Sequence, residues 1–161
     1  MISAVDLVKG LGICAGMEVP EIPGATGNID TNYEGKADAA ISFYKNGGDF
    51  VYLHVEAPDE CGHRHEIQNK VKAIEYLDER ILRKVWDYLE STGEPYKIMV
   101  LPDHPTPLAL MTHTHDPVPY LIYESGCSQV RNEAAGYNEK DAAETGIYVE
   151  KGHRLIDRFL S

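Results

Sequence analysis

From Glu66 to Leu89 apolar residues recur at three- and four-residue steps: Ile67, Val71, Ile74, Leu77, Ile81, Val85 and Leu89. That spacing is one face of a long amphipathic helix, and "STGEP" ends it. A shorter pattern of the same period, Val5, Val8 and Leu11, predicts an N-terminal helix in "AVDLVKGLGICAGM". In "KADAAISFYKNGG" the residues Ala39, Ala40, Phe43 and Tyr44 share a helical face, and Gly47-Gly48 stop it. Strand patterns alternate with these helices. "DFVYLHVEA", "YKIMVLP" and "VPYLIYES" read as strands, and "MEVPEIPG" as a brief one closed by prolines. "GATGNIDTNYEG" and "DHPTPLALMTHTHDP" are turn-rich loops, and "NEKDAAETG" and "GHRLIDRFL" predict short terminal helices. Strand, helix and strand joined by short links predict an α/β fold, a mainly parallel sheet flanked by helices.

The 161 residues suffice for one domain with a sizeable core. Hydrophobic residues make up 43% and charged residues 25%, an ordinary soluble balance. The net charge of −11 argues against nucleic acid, whose phosphates must be neutralised by Lys and Arg, and against anionic lipid. It suits a protein that gathers divalent cations. Cys14, Cys61 and Cys127 form no CxxC pair, so a reducing compartment is expected rather than a disulfide framework. No apolar run reaches the ~20 residues of a membrane span. "MISAVDLVKG" lacks the basic start of a signal peptide, so the expected location is the cytoplasm.

Five of the seven histidines fall in two loops that follow predicted strands. His63 and His65 lie in "APDECGHRHE"; His104, His113 and His115 lie between "KIMVLP" and "VPYLIY". In open α/β sheets, ligands bind at loops beyond the carboxyl ends of strands. Asp59 and His63 are four apart, and a helical turn would bring both to one face. Carboxylate oxygen and imidazole nitrogen suit Zn, Mn and similar ions. Asp103 and His104 are neighbours, able to share one ion only where the backbone turns, as it can before Pro105. Each feature alone has a plainer reading. A D-x-x-x-H pair is most often a polar surface turn, His54 a packing histidine, Cys61 a small filler, His153 a surface or capping residue, and "GATG" a simple turn. His113 and His115 are two apart, and spacing does not choose between them. The joint pattern of two polar loops at strand ends is what favours a metal site.

"PGATGNIDTNYEGKADAA", "DFVYLHVEAPDECGH", "LPDHPTP" and "HTHDPVPY" together resemble the archaeal-type cofactor-independent phosphoglycerate mutases of the alkaline phosphatase superfamily, from about Ser3 to Leu160. Some relatives in that group carry a homoserine-kinase label. The resemblance implies a partial three-layer phosphatase-like domain and two divalent metal ions, Mn or Zn. Asp59, His63 and His113 match the ligands of the first, and Asp103 and His104 match ligands of the second. Lys9 matches, loosely, a lysine that contacts substrate phosphate. His65 and His115 have no firm counterpart. The implied reaction is interconversion of 3- and 2-phosphoglycerate through a phosphoserine, an isomerisation by intramolecular phosphotransfer.

Members of that family are at least about twice as long as this chain. Their N-terminal part supplies the serine nucleophile and an aspartate for the second metal, and an inserted domain supplies most substrate contacts. None of Ser3, Ser42, Ser91, Ser125, Ser128 and Ser161 sits in a nucleophile motif. The expectation is therefore the C-terminal, metal-binding part of such an enzyme, inactive alone and prone to self-association through an exposed face. Two alternatives stand beside it: a metal-dependent phosphatase or phosphotransferase of the same superfamily, and a non-catalytic binding module.

Overall fold

The structure, a computed structural model, describes residues 1–127 and 134–161; Ser128 lies outside them. Two compact units form. The first comprises Met1–Thr92 and Thr106–His113, the second Gly93–Pro105 and Thr114–Ser161.

The first unit is helical. It holds α1 (Asp6–Cys14), α2 (Tyr33–Lys45), α3 (Ala57–His63), α4 (Ile67–Tyr76), a π-helical turn (Leu77–Leu82) and α5 (Arg83–Thr92). Asn32 starts α2: its side-chain oxygen accepts from the Gly35 N–H at 2.8 Å, satisfying a donor that the first turn leaves open. Tyr33 and Ala37 of α2, Ala57 of α3, Ala73 of α4 and Ile81 form the buried core, with Ile29, Leu53, Val55, Tyr76 and Val85 packed against it. Three of those five core residues are alanines, so the helices meet closely with little side chain between them.

The predicted long helix is present, but as α4 and α5 joined through the wide turn. Periodicity cannot register one wide turn inside an otherwise regular helix. Arg80, in that turn, reaches back to α2 and grips Glu34 with two hydrogen bonds of 2.6 and 2.7 Å. Its guanidinium lies 4.8 Å from the ring centres of both Tyr33 and Tyr76. Hydrogen bonding from Arg80 holds the Glu34 carboxyl below its usual range. Also on α2, the Lys36 ammonium is buried, 3.1 Å from the His54 carbonyl and 3.5 Å from Glu56. Burial lowers its pKa.

The predicted strand "DFVYLHVEA" is reduced to a single parallel bridge between Leu53 and Ile2. Ile2 donates to the Tyr52 carbonyl and accepts from His54 N–H, both at 2.8 Å. A strand exists only where a neighbour pairs with it, and among the described residues Ile2 alone does so here. "MEVPEIPG" forms no strand: Pro20 and Pro23 lack the N–H that a ladder needs.

In the second unit, β1 (Lys97–Val100) and β2 (Leu121–Glu124) pair antiparallel, Lys97 opposite Glu124 and Val100 opposite Leu121. The mainly parallel sheet expected from the element order is thus not what the described residues form; the architecture is mixed α/β with a two-stranded antiparallel sheet. That expectation extends the strand–helix–strand alternation seen earlier in the chain to these two strands, although the sequence predicts only a loop between them. A 20-residue loop, 101–120, connects them and returns the chain antiparallel. Tyr137 donates towards the carbonyls of Val100 and Pro119 at 3.3 Å, and burial pushes its phenol up to about 12. The terminal helices α6 (Glu139–Glu144) and α7 (Leu155–Leu160) lie where the sequence placed them.

No helix among the described residues is long and apolar enough to cross a membrane. Several large apolar side chains are exposed, including Leu7 and Leu11 on α1 and Ile67, Val71 and Ile74 on α4.

Candidate metal centre

Two segments of the first unit build the site. The first is α3. Pro58 stands in its opening turn, where a missing N–H costs nothing. One helical turn then carries Asp59 and His63 to the same face, His63 Nε2 lying 3.4 Å from Asp59 Oδ2. The second is the segment 106–113. The Leu110 and Met111 N–H groups both donate to the Pro107 carbonyl, at 3.0 and 2.9 Å, and Met111 takes the left-handed conformation with φ +54°. That turn brings in His113, whose Nε2 lies 3.3 Å from Asp59 Oδ1 and 3.0 Å from His63 Nε2. The donor atoms of Asp59, His63 and His113 all lie within 4.8 Å of one another. Asp59 and His63 are half-buried and His113 is exposed, so the cluster is open on one side.

The surrounding hydrogen bonds fix how these donors point. His63 Nδ1 lies 3.0 Å from the Met111 carbonyl, which can only accept, so Nδ1 carries the proton and Nε2 is left bare toward the cluster. The Thr106 hydroxyl donates to Asp59 Oδ1 and is itself buried. Lys70 Nζ donates to the carbonyls of Pro58 at 2.9 Å and Thr106 at 3.1 Å, tying α3 to the returning segment. Gly62 makes the close approach feasible: a Cβ there would stand 2.7 Å from the Thr106 carbonyl oxygen and 2.9 Å from Lys70 Nζ.

This arrangement fits a divalent cation. Donors bonded at 2.0–2.2 Å around a tetrahedral ion lie about 3.4 Å apart, and the separations here are 3.0 to 3.4 Å. Bare imidazole nitrogens at 3.0 Å would repel one another unless a proton or cation stood between them. One carboxylate and two imidazoles would leave an ion a vacant position for a further oxygen ligand.

Most of the other candidates have partners of their own. Asp103 and His104 belong to the second unit, where His104 Nε2 is 3.6 Å from Asp103 Oδ2 and the His104 N–H bonds Asp103 Oδ1 at 3.1 Å. His115 is an exposed residue of the same unit. In the first unit, Lys9 pairs with Glu21 at 3.3 Å. His65 Nδ1 lies 2.6 Å from the Leu108 carbonyl. His54 Nδ1 is 3.3 Å from the Ser3 hydroxyl. Cys61 is buried, and burial pushes its thiol pKa up. Thr106 and Lys70 escape a reading of the sequence, because nothing in their spacing marks them. Thr106 meets a residue 47 positions earlier, and Lys70 resembles any polar residue on a helix.

A carboxylate and two histidines clustered at a short helix form a candidate metal site, and the chain belongs to the Metalloenzyme superfamily, whose family model matches residues 1–148. Its relatives are more particular. It is 49% identical over 160 residues to a probable 2,3-bisphosphoglycerate-independent phosphoglycerate mutase of Geobacter sulfurreducens, covering 99% of this chain and 39% of that protein. It is 48% identical to the 2,3-bisphosphoglycerate-independent phosphoglycerate mutase of Methanosarcina mazei, over 97% of this chain and 39% of the relative. Among solved structures, the PH0037 protein of Pyrococcus horikoshii aligns with a TM-score of 0.84 and 32% identity, over 99% of this chain and 46% of that one. The chain thus spans about two-fifths of the length of the curated relatives it matches.

Proposed function

We infer that this chain is the C-terminal, metal-binding portion of a 2,3-bisphosphoglycerate-independent phosphoglycerate mutase. The observation that carries the reading is the convergence of Asp59, His63 and His113 from two segments 50 residues apart, in a chain 49% identical to a protein of that name. Asp59 supplies the anionic ligand and His63 and His113 the neutral ones. Asp103 and His104 are assigned to a second ion, Mn or Zn in each case. Ions of this kind, when bound, would stabilise the charge on a transferring phosphoryl group. Lys9 is assigned to the substrate phosphate, where it would exchange Glu21 for the anion. The Ile2–Leu53 bridge is read as the start of a parallel sheet that further strands would complete. The working compartment is the cytoplasm.

The nucleophile is assigned to sequence outside these residues. Ser3 is buried and accepts from the Val5 N–H at 3.0 Å; Ser125 accepts from the Tyr96 N–H at 2.8 Å; Ser91 and Ser161 donate to backbone carbonyls. None of these four stands ready to attack a phosphoryl group. The test is an enolase-coupled assay with 3-phosphoglycerate. The 161-residue chain alone is expected to show no turnover, yet to bind Zn2+ or Mn2+ in titration calorimetry. Turnover by the chain alone, abolished in Asp59→Ala, would overturn the assignment of the nucleophile. Failure to bind either ion would overturn the metal reading.

A further inference from the structure

His65 sits where a helix normally ends in glycine. After α3 the Glu66 N–H returns to the Cys61 carbonyl at 2.9 Å and the His65 N–H to the Gly62 carbonyl at 3.2 Å. These two bonds define a Schellman cap, whose left-handed residue is usually glycine because a Cβ is strained there. Here that residue is His65, with φ +57°. Its ring is engaged across the unit: Nδ1 lies 2.6 Å from the Leu108 carbonyl, in the segment that carries His113. A carbonyl only accepts, so Nδ1 donates and is not itself a metal donor. His63 makes the parallel bond to the Met111 carbonyl three residues on. Two imidazole N–H groups, from either side of the helix end, thus fasten one ligand-bearing segment.

We propose that His65 is a positioning residue of the metal centre: it occupies a strained cap position in order to hold the segment 106–113, and with it His113, against Asp59 and His63. The inference rests on the metal reading of the site. A purely capping role predicts that glycine is as good as histidine at this position or better. A positioning role predicts that glycine relieves the strain and releases the loop, so stability and metal affinity separate. Partners behind metal ligands typically change affinity by about 10- to 100-fold, and a bond to the ligand's segment rather than to the ligand belongs at the lower end.

The experiment compares the wild-type chain with His65→Gly and His65→Ala. Zn2+ affinity is measured by calorimetry against a competing chelator, melting by circular dichroism without metal, and amide exchange at Leu110 and Met111 by NMR. His65→Gly is expected to melt at the wild-type temperature or higher, to exchange those two amides faster, and to bind Zn2+ about tenfold more weakly. His65→Ala, which keeps the Cβ strain and loses the clamp, is expected to melt lower and bind equally weakly. Wild-type Zn2+ affinity in His65→Gly would overturn the proposal and leave the metal site standing. A wild-type chain that binds no Zn2+ would remove both.

Discussion

The Nε2 atoms of His63 and His113 stand 3.0 Å apart, although 50 residues separate them in the chain. His63 is placed by a helical turn and His113 by a loop, so each is positioned by independent local structure. Removing either should therefore leave the other in place but halve the imidazole donor set. His63→Ala and His113→Ala are each expected to remove the Zn2+ binding step of this cluster in calorimetry, and Asp59→Ala likewise. His115→Ala is expected to leave it unchanged. Loss of metal in His115→Ala with retention in His113→Ala would reverse the assignment.

Thr106 fixes the orientation of Asp59 through its hydroxyl. Thr106→Val keeps the shape and removes the donor, freeing the carboxylate to rotate. Metal affinity is expected to fall by about 10- to 100-fold, and Thr106→Ser to restore most of it. Equal affinity in Val and wild type would show that Asp59 is held by its helix alone.

The Tyr33 side chain is fully buried, its hydroxyl has no hydrogen-bond partner, and burial raises its pKa to about 12. The unfolded chain would ionise near 10, so the folded form holds its proton longer. Stability from this group is therefore complete below pH 10 and lost as pH rises from 10 to about 12, by roughly 2 kcal/mol. Tyr33→Phe removes no hydrogen bond and should flatten that alkaline decline while changing neutral-pH stability little. Denaturant melts at pH 8 and pH 11 compare the two. An identical alkaline decline in both proteins would mean that Tyr33 is not its source.

Ile67, Val71 and Ile74 form an exposed apolar stripe on α4, and each is more than half accessible. A patch of this kind favours association. Light scattering of the chain alone is expected to report species larger than a monomer, with Val71→Glu shifting them toward the monomer. A monomer at all concentrations would show that the stripe is tolerated in water.

The helices were legible in the sequence because their signals are local. The period of Ile67 to Leu89 and the Gly47-Gly48 stop each act within a few residues, whereas the start of α2 at Tyr33, capped by Asn32, lies inside a segment that reads as a loop. The Asp59–His63 pair was half legible: its spacing suits one turn of helix, but the segment reads as a loop, and it is α3 that brings the two side chains together. Strands were not fixed in this way. The run "DFVYLHVEA" has the composition of a strand, yet its backbone pairs only with Ile2, because a ladder depends on partners that composition does not supply. The direction of β2 against β1 was likewise not written in either strand's residues, and a 20-residue connection is long enough for either sense, so only the folded pairing shows it to be antiparallel.

Spacing does not separate the two histidines of "THTH"; the resemblance points to His113, and the tertiary structure brings that residue to Asp59. His113 and His115 have the same residue type and the same alternation, so no local rule separates them. The turn closed on the Pro107 carbonyl, with Met111 in a left-handed conformation, brings His113 to the cluster. The residues that steady the site were hidden for the same reason. Thr106, Lys70 and His65 act through hydrogen bonds across 12 to 47 positions of sequence, and such bonds exist only after the chain has folded back on itself.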